Sequence, residues 1–288
     1  MIQGAPQKNH FSYEAALALF SESSKAEQHC AEAEFGHKYI LNAVRGLSIK
    51  SRVLEVGSGS GLLLSRLSRE FAEIDFTGLE PMGDGFTYKP IMYDFIDGLP
   101  NVVIKPVGYE SLSSRDKFDL IFLVNVFEHL PDWKDFMKVV KRSLNPGGRC
   151  IILCPNYSFP YEPHFRLPIF LNKSLTRGVF GKSILSYERR EEAEGLWKSL
   201  NFVKLRHVKT KAKSLDLEID TQKDILADMI TRLDSDPEFA NRQGLLKLPI
   251  SLLQKLGVIK FVLNAKVFEN WLPYMHLNVT HRLQNKGQ

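Results

Sequence analysis

The chain is 288 residues long, 44% hydrophobic and 25% charged, the composition of a folded globular protein, which excludes a disordered chain. Its three cysteines, Cys30, Cys150 and Cys154, exclude a disulfide framework, do not have metal-ligand spacing, and fit a reducing compartment. Charge is uneven: residues 1–150 carry 17 Lys and Arg against 19 Asp and Glu, whereas residues 151–288 carry 21 against 14, an excess that suits nucleic acid, an anionic membrane surface or an acidic substrate.

The first residues, MIQGAPQKNHF, hold no apolar signal core, and no uncharged apolar run is long enough to span a membrane, so a cytoplasmic location is expected. Residues 12–47 read as a helix, with Ala15, Leu19, Ala26, Ala33, Ile40, Leu41 and Val44 among its apolar positions and Gly46 as its stop. Arg52–Val56, Ile74–Glu80 and Asn101–Val107 read as strands, and Leu62–Phe71 as a helix. Phe118–Val126 is an almost continuous apolar run, the pattern of a strand buried on both faces.

Near Pro131 a further helix begins, on which Trp133, Phe136, Met137, Val140 and Leu144 share one face. Asn145-Pro146-Gly147-Gly148 stops it, and Arg149–Cys154 is the next strand, with Cys150 and Cys154 on one face as inert core. Residues 155–187, rich in proline, aromatics and arginine, read as an irregular insertion. Glu188–Leu200 reads as a helix, Asn201–Thr210 as a strand, residues 215–272 as helical, and His276–Leu283 as a last strand. Strands alternating with helices imply a parallel sheet covered by helices on both faces.

The most informative segment is Val53-Leu54-Glu55-Val56-Gly57-Ser58-Gly59-Ser60-Gly61, a strand, a glycine loop and a helix start. Glycines there permit positive φ and let a ligand approach bare backbone, and the helix N-terminus suits an anionic group. The spacing is G-x-G-x-G with Glu55 before it; the G-x-G-x-x-G of nicotinamide and flavin sites would need glycine at Leu62, and no Walker lysine follows. Glu80, ending the next strand, lies 23 positions beyond Gly57, near the offset of about 20 residues expected of an acid that binds ribose hydroxyls.

In these features the sequence resembles the class I S-adenosylmethionine-dependent methyltransferases. Lys117–Ile121, Glu128-His129-Leu130-Pro131 and Asn145–Gly148 extend the resemblance over roughly residues 48–156, in the motif style of the quinone-pathway small-molecule O-methyltransferases. It implies an α/β fold with a Rossmann-like seven-stranded sheet, its last strand antiparallel, within a single domain over residues 1–288. In that domain, residues 1–48 would be a helical cap, 49–156 the cofactor core, 157–187 a substrate-side loop insertion, 188–213 a helix and a strand, 214–272 a helical insertion and 273–288 the last strand and tail. S-adenosylmethionine would lie on Gly57, Ser58, Gly59 and Gly61, with Glu55 orienting its amino-acid end, Glu80 on the ribose and Met82 on the adenine. Where family members often carry an adenine-binding Asp, this chain has Gly108-Tyr109-Glu110; Tyr109 would stack on the ring or Glu110 replace the acid.

The resemblance implies methyl transfer to a small-molecule acceptor, with a hydroxyl as the expected group. His129 and His164 are the candidate bases, each weighed against a structural role, and Asn125 would face the methyl-transfer cleft. Quinone-pathway relatives carry E-x-x-E-H, which can hold a divalent metal; here the first carboxylate is Asn125, so no metal is expected. The acceptor would be aromatic, acidic or lipid-like, and residues 245–272, with Lys255, Lys260 and Lys266 among leucines at helical spacing, would either cover the core or touch an anionic membrane. Nucleic acid is not the expected partner. Two alternatives stand beside this reading: an RNA methyltransferase, and a scaffold that binds the cofactor without turnover.

Overall fold

The computed structural model describes residues 26–81, 98–235 and 266–282. Met82, residues 12–25 of the expected first helix and residues 245–265 of the expected membrane segment lie outside the described residues. A seven-stranded sheet has the order β3-β2-β1-β4-β5-β9-β8, with β1 at Arg52–Val56, β2 at Asp75–Leu79, β3 at Val102–Lys105, β4 at Phe118–Val124, β5 at Leu144–Pro155, β8 at Leu217–Gln222 and β9 at Tyr274–His281. It is the α/β, Rossmann-like arrangement expected, with β9, the last strand, antiparallel to β8. The chain divides into two compact units, Met1–Val124 with Val139–Ile151, and Asn125–Lys138 with Ile152–Gln288.

In the first unit, β1 pairs in parallel with β2 on one side and β4 on the other. The strand order therefore reverses at β1, and ligands of open α/β sheets bind beyond the carboxyl ends at such a switch point. Val53, Leu54, Leu120 and Phe122 are fully buried, as two-sided burial requires. Helix α1 (Ala26–Arg45) crosses helix α2 (Leu62–Glu70) closely: a Cβ on Gly36 would stand 2.5 Å from Leu63 Cδ2. Asp119 is structural, accepting the Arg52 N–H at 2.8 Å and Asn145 Nδ2 at 2.8 Å. Near the start of β5, Gly147 has φ of 79°, and a Cβ on Gly148 would press on three carbonyl oxygens at 3.0–3.1 Å.

The second unit departs most from expectation. Residues 201–210, read as a strand, contain instead the start of an α-helix, Leu205–Ser214, whose buried residues Leu205, Val208 and Ala212 recur at helical spacing. The missing strand is β8, inside the stretch read as helical, and its register sets Leu217 opposite His281 and Gln222 opposite His276. A helix at Asp224–Ser235 follows it. The expected loop insertion holds a short hairpin, β6 (Tyr161–Glu162) against β7 (Leu167–Pro168), and a helix at Lys173–Arg190. The helix expected over 188–200 is thus two: one ending at Arg190, then Leu196–Ser199, which starts after Gly195 at φ of 89°. Buried Tyr157, Phe165 and Trp197 form the core here, with Tyr157 stacked on the half-buried Phe202 at 4.4 Å and Trp197 edge-on to Phe165 at 5.4 Å. Among the described residues no helix is long and apolar enough to cross a membrane.

Candidate functional site

Each unit assembles its own constellation. In the first, β1 ends at Val56 and the loop turns with Gly57, Gly59 and Gly61 at φ of 74°, 50° and 72°, a left-handed conformation that side chains disfavour. The N–H groups of Gly57 and Ser58 both donate to the Leu79 carbonyl, at 2.7 and 3.1 Å, which ties the loop to the end of β2. Gly78, one residue earlier, leaves the room: a Cβ there would lie 2.8 Å from Ser58 Oγ and 2.8 Å from Leu64 Cδ1. A Cβ on Gly59 would meet no atom within 4 Å, so the loop's outer surface is open.

Glu80 follows β2 and accepts the Gly59 N–H on Oε2 at 2.8 Å. Glu55 is buried on β1, and its Oε2 has no hydrogen-bond partner within the protein. Burial, and next the charge of Glu80, hold the Glu55 carboxyl well above the usual carboxylate range. An orphaned carboxylate oxygen beside an open glycine loop fits a small molecule that brings its own hydrogen-bond donors. The structure therefore brings together Glu55, Gly57, Ser58, Gly59, Gly61 and Glu80. Tyr109 is buried in the turn after β3, while Glu110 is exposed and folds back so far that a Cβ on Gly108 would collide with its Oε2 at 2.2 Å.

In the second unit, Asn125 takes φ of 54°, donates its N–H to Leu153 O at 2.8 Å and accepts the Tyr274 hydroxyl on Oδ1 at 2.5 Å. The next turn, Phe127–His129, is held from below by Asn201, whose Nδ2 donates to Phe127 O at 2.8 Å and Leu130 O at 3.1 Å. It presents Glu128, fully buried, and His129.

His129 Nδ1 lies 2.8 Å from Ser199 Oγ, and the single Ser199 hydroxyl hydrogen goes to Leu196 O at 2.8 Å. Ser199 is therefore the acceptor and His129 the donor, which leaves the ring's lone pair on Nε2. Burial, then the charges of His164 and Lys173, lower the pKa of His129 to about 3, so the ring is neutral at ordinary pH.

His164 enters from the hairpin. Its Nδ1 lies 2.7 Å from Oε1 of the fully buried Glu162, which also accepts the Tyr157 hydroxyl at 3.2 Å and the Phe165 N–H at 2.6 Å. A carboxylate in that position only accepts, so His164 donates from Nδ1. The two rings meet edge-to-face with centroids 5.2 Å apart, and Glu128 Oε1 lies 4.0 Å from His129 Nε2 and 3.9 Å from His164 Nε2.

Glu162, Ser199, Asn201 and Gly78 were not read from the sequence as site residues. Gly78 alone leaves a local trace, as a glycine where a β-branched residue is preferred. The aromatics Tyr157 and Phe165 of the expected substrate-side stretch are buried core. Cys154 is buried beside this cluster, with its thiol pushed up by burial and then by Glu128.

A family model described as a methyltransferase domain matches residues 17–213. An uncharacterised protein of Mycobacterium tuberculosis is 35% identical over 217 residues, covering 74% of this chain and 73% of the relative. Shorter stretches resemble two named enzymes. A tRNA U34 carboxymethyltransferase of Pseudoalteromonas atlantica is 32% identical over 106 residues, 36% of this chain and 32% of that protein. A ubiquinone biosynthesis O-methyltransferase of Paracidovorax citrulli is 28% identical over 143 residues, 46% of this chain and 58% of that protein.

Proposed function

The chain belongs to the S-adenosylmethionine-dependent methyltransferase family, and from that premise we propose that it methylates a hydroxyl of a small-molecule acceptor. The carrying observation is the pair of imidazoles in the second unit, each with Nδ1–H committed and Nε2 within 4.0 Å of the buried Glu128. When bound, S-adenosylmethionine supplies an electrophilic methyl group on its sulfonium.

In the first unit, Gly57, Ser58, Gly59 and Gly61 present backbone to the cofactor's amino-acid end, and the orphaned Glu55 Oε2 accepts from its ammonium group. Glu80 offers its carboxylate to the ribose hydroxyls while holding Gly59. Tyr109, Glu110 and Met82 serve the adenine. In the second unit, His129 or His164 takes the acceptor's hydroxyl proton on Nε2, and Asn125 fixes the turn through Tyr274. The acceptor is aromatic, acidic or lipid-like, and residues 245–272 deliver it from an anionic membrane surface.

The experiment is incubation of the full chain with methyl-labelled S-adenosylmethionine and a panel of phenols, hydroxy acids and hydroxylated lipids. A mass-resolved O-methyl product supports the reading. Cofactor binding with no product across the panel favours a silent scaffold.

The tRNA-modifying relative and the basic helix Leu205–Ser214, with Arg206, Lys209, Lys211 and Lys213, favour a second reading in which the acceptor is RNA. Binding to tRNA that weakens steeply with salt, with label entering the nucleic acid, would select it.

A further inference from the structure

We infer that Glu128, His129 and His164 form a binding site for a divalent first-row metal ion of the zinc type. Their ligand atoms lie within 4.8 Å of one another, one carboxylate oxygen and two imidazole nitrogens.

Three features separate this cluster from a chance meeting of polar side chains. First, both imidazoles commit Nδ1–H elsewhere, to Ser199 and to Glu162, and both Nε2 atoms stand on the side of Glu128 Oε1. The lone pair of the neutral His129 ring and the Glu128 carboxylate repel one another in a buried site, and a cation between them reverses the sign. Second, both rings are oriented as metal-ligating histidines are, with the far nitrogen donating to an oxygen; His164 has the carboxylate version of that support in Glu162. Third, the supports are themselves fixed. Glu162 accepts two further hydrogen bonds, and Asn201 holds the turn that carries Glu128 and His129.

The spacing needs only a small adjustment. Ligand atoms bound at about 2.0–2.2 Å in a tetrahedral shell stand about 3.3 Å apart, and the carboxylate-to-nitrogen distances here are 3.9 and 4.0 Å. Rotations of the His129 and His164 side chains, which are part-exposed, close that gap. Two nitrogens and one carboxylate leave at least one coordination position open, as sites that bind an exchangeable oxygen do. The third ligand is His164, from the hairpin. Residue 125 is an amide bonded to Tyr274 and takes no part.

The ion's role, though not the site, rests on the hydroxyl-acceptor reading. An acceptor oxygen at the ion's open coordination position would have its pKa lowered and would lose its proton to solvent, because the ion would hold the Nε2 atoms that otherwise take it.

The test is equilibrium dialysis of the full chain against zinc, followed by elemental analysis, with cobalt substitution read by its visible absorption. The site requires ~1 equivalent of metal per chain and a cobalt spectrum typical of low coordination number. His164→Asn should weaken binding at least about 100-fold, and Glu162→Gln by about 10- to 100-fold while the fold is retained. His207→Gln, on the exposed face of Leu205–Ser214, should change neither. No bound metal in the folded wild-type chain, or unchanged stoichiometry in His164→Asn, overturns the proposal. Titration of the metal-free chain with S-adenosylhomocysteine separates the two readings: heat without zinc binding leaves the methyltransferase account standing and removes the metal.

Discussion

Gly59 and Gly147 provide a matched pair of substitutions. Both residues have positive φ, 50° and 79°, and at both a Cβ would meet no protein atom within 4 Å. Alanine at either therefore costs only backbone strain, about 1–2 kcal/mol, which lowers Tm by about 2–4 °C per kcal/mol in a chain of this size. They differ in what the new methyl group faces. At Gly147, near the start of β5, it meets no other residue. At Gly59 it projects from the loop whose N–H is held by Glu80, into the open surface assigned to the cofactor. Gly59→Ala should weaken S-adenosylhomocysteine binding at least about tenfold, or about 1.4 kcal/mol. Gly147→Ala should leave it unchanged, although the two variants melt at similar temperatures. Scanning and titration calorimetry read the two quantities separately. Wild-type affinity in Gly59→Ala, or equal losses in both variants, would refute the assignment of the glycine loop.

Gly78→Ala drives a methyl group to 2.8 Å from Leu64 and Ser58, an overpacking that should cost about 1–3 kcal/mol in urea unfolding and shift the loop enough to weaken cofactor binding. Glu55→Gln tests the buried carboxyl. Because its folded-state pKa is raised above 4.5, its favourable contribution is complete below that value and is lost as pH rises towards the folded pKa. Stability of the ligand-free wild type should therefore decline with rising pH more steeply than that of Glu55→Gln, while the variant binds cofactor more weakly; parallel pH profiles would contradict this. Asn201→Ala leaves the Phe127 and Leu130 carbonyls without their side-chain donor. It should cost about 1–3 kcal/mol and lower kcat while cofactor affinity stays unchanged, since the affected turn belongs to the second unit.

The cofactor half of the site was legible because its signals are local. Glu55, Gly57, Gly59 and Gly61 lie within seven consecutive residues, and Glu80 ends the next strand at a fixed offset. The backbone demands there are met by residue types that few other settings require. The second unit lacked such signals. In Lys204–Lys213 the basic residues suggest alternation, yet the buried Leu205, Val208 and Ala212 follow helical spacing, and burial decides. The true sixth strand, Leu217–Gln222, alternates only weakly between Leu217 and the charged Glu218 and Asp220, and its partner β9 is more than 50 residues away. The support of His129 by Ser199 spans 70 residues, so no spacing rule reveals it. Glu162 is close in sequence to His164, but a glutamate in a proline-rich loop reads as a solvated charge until its burial is seen.

The most direct test of the account is a crystal structure with S-adenosylhomocysteine. Ligand density is expected over Gly57–Gly61, with the amino group on Glu55 and the ribose hydroxyls on Glu80. Density elsewhere, or none at saturating ligand with that loop ordered, would contradict it.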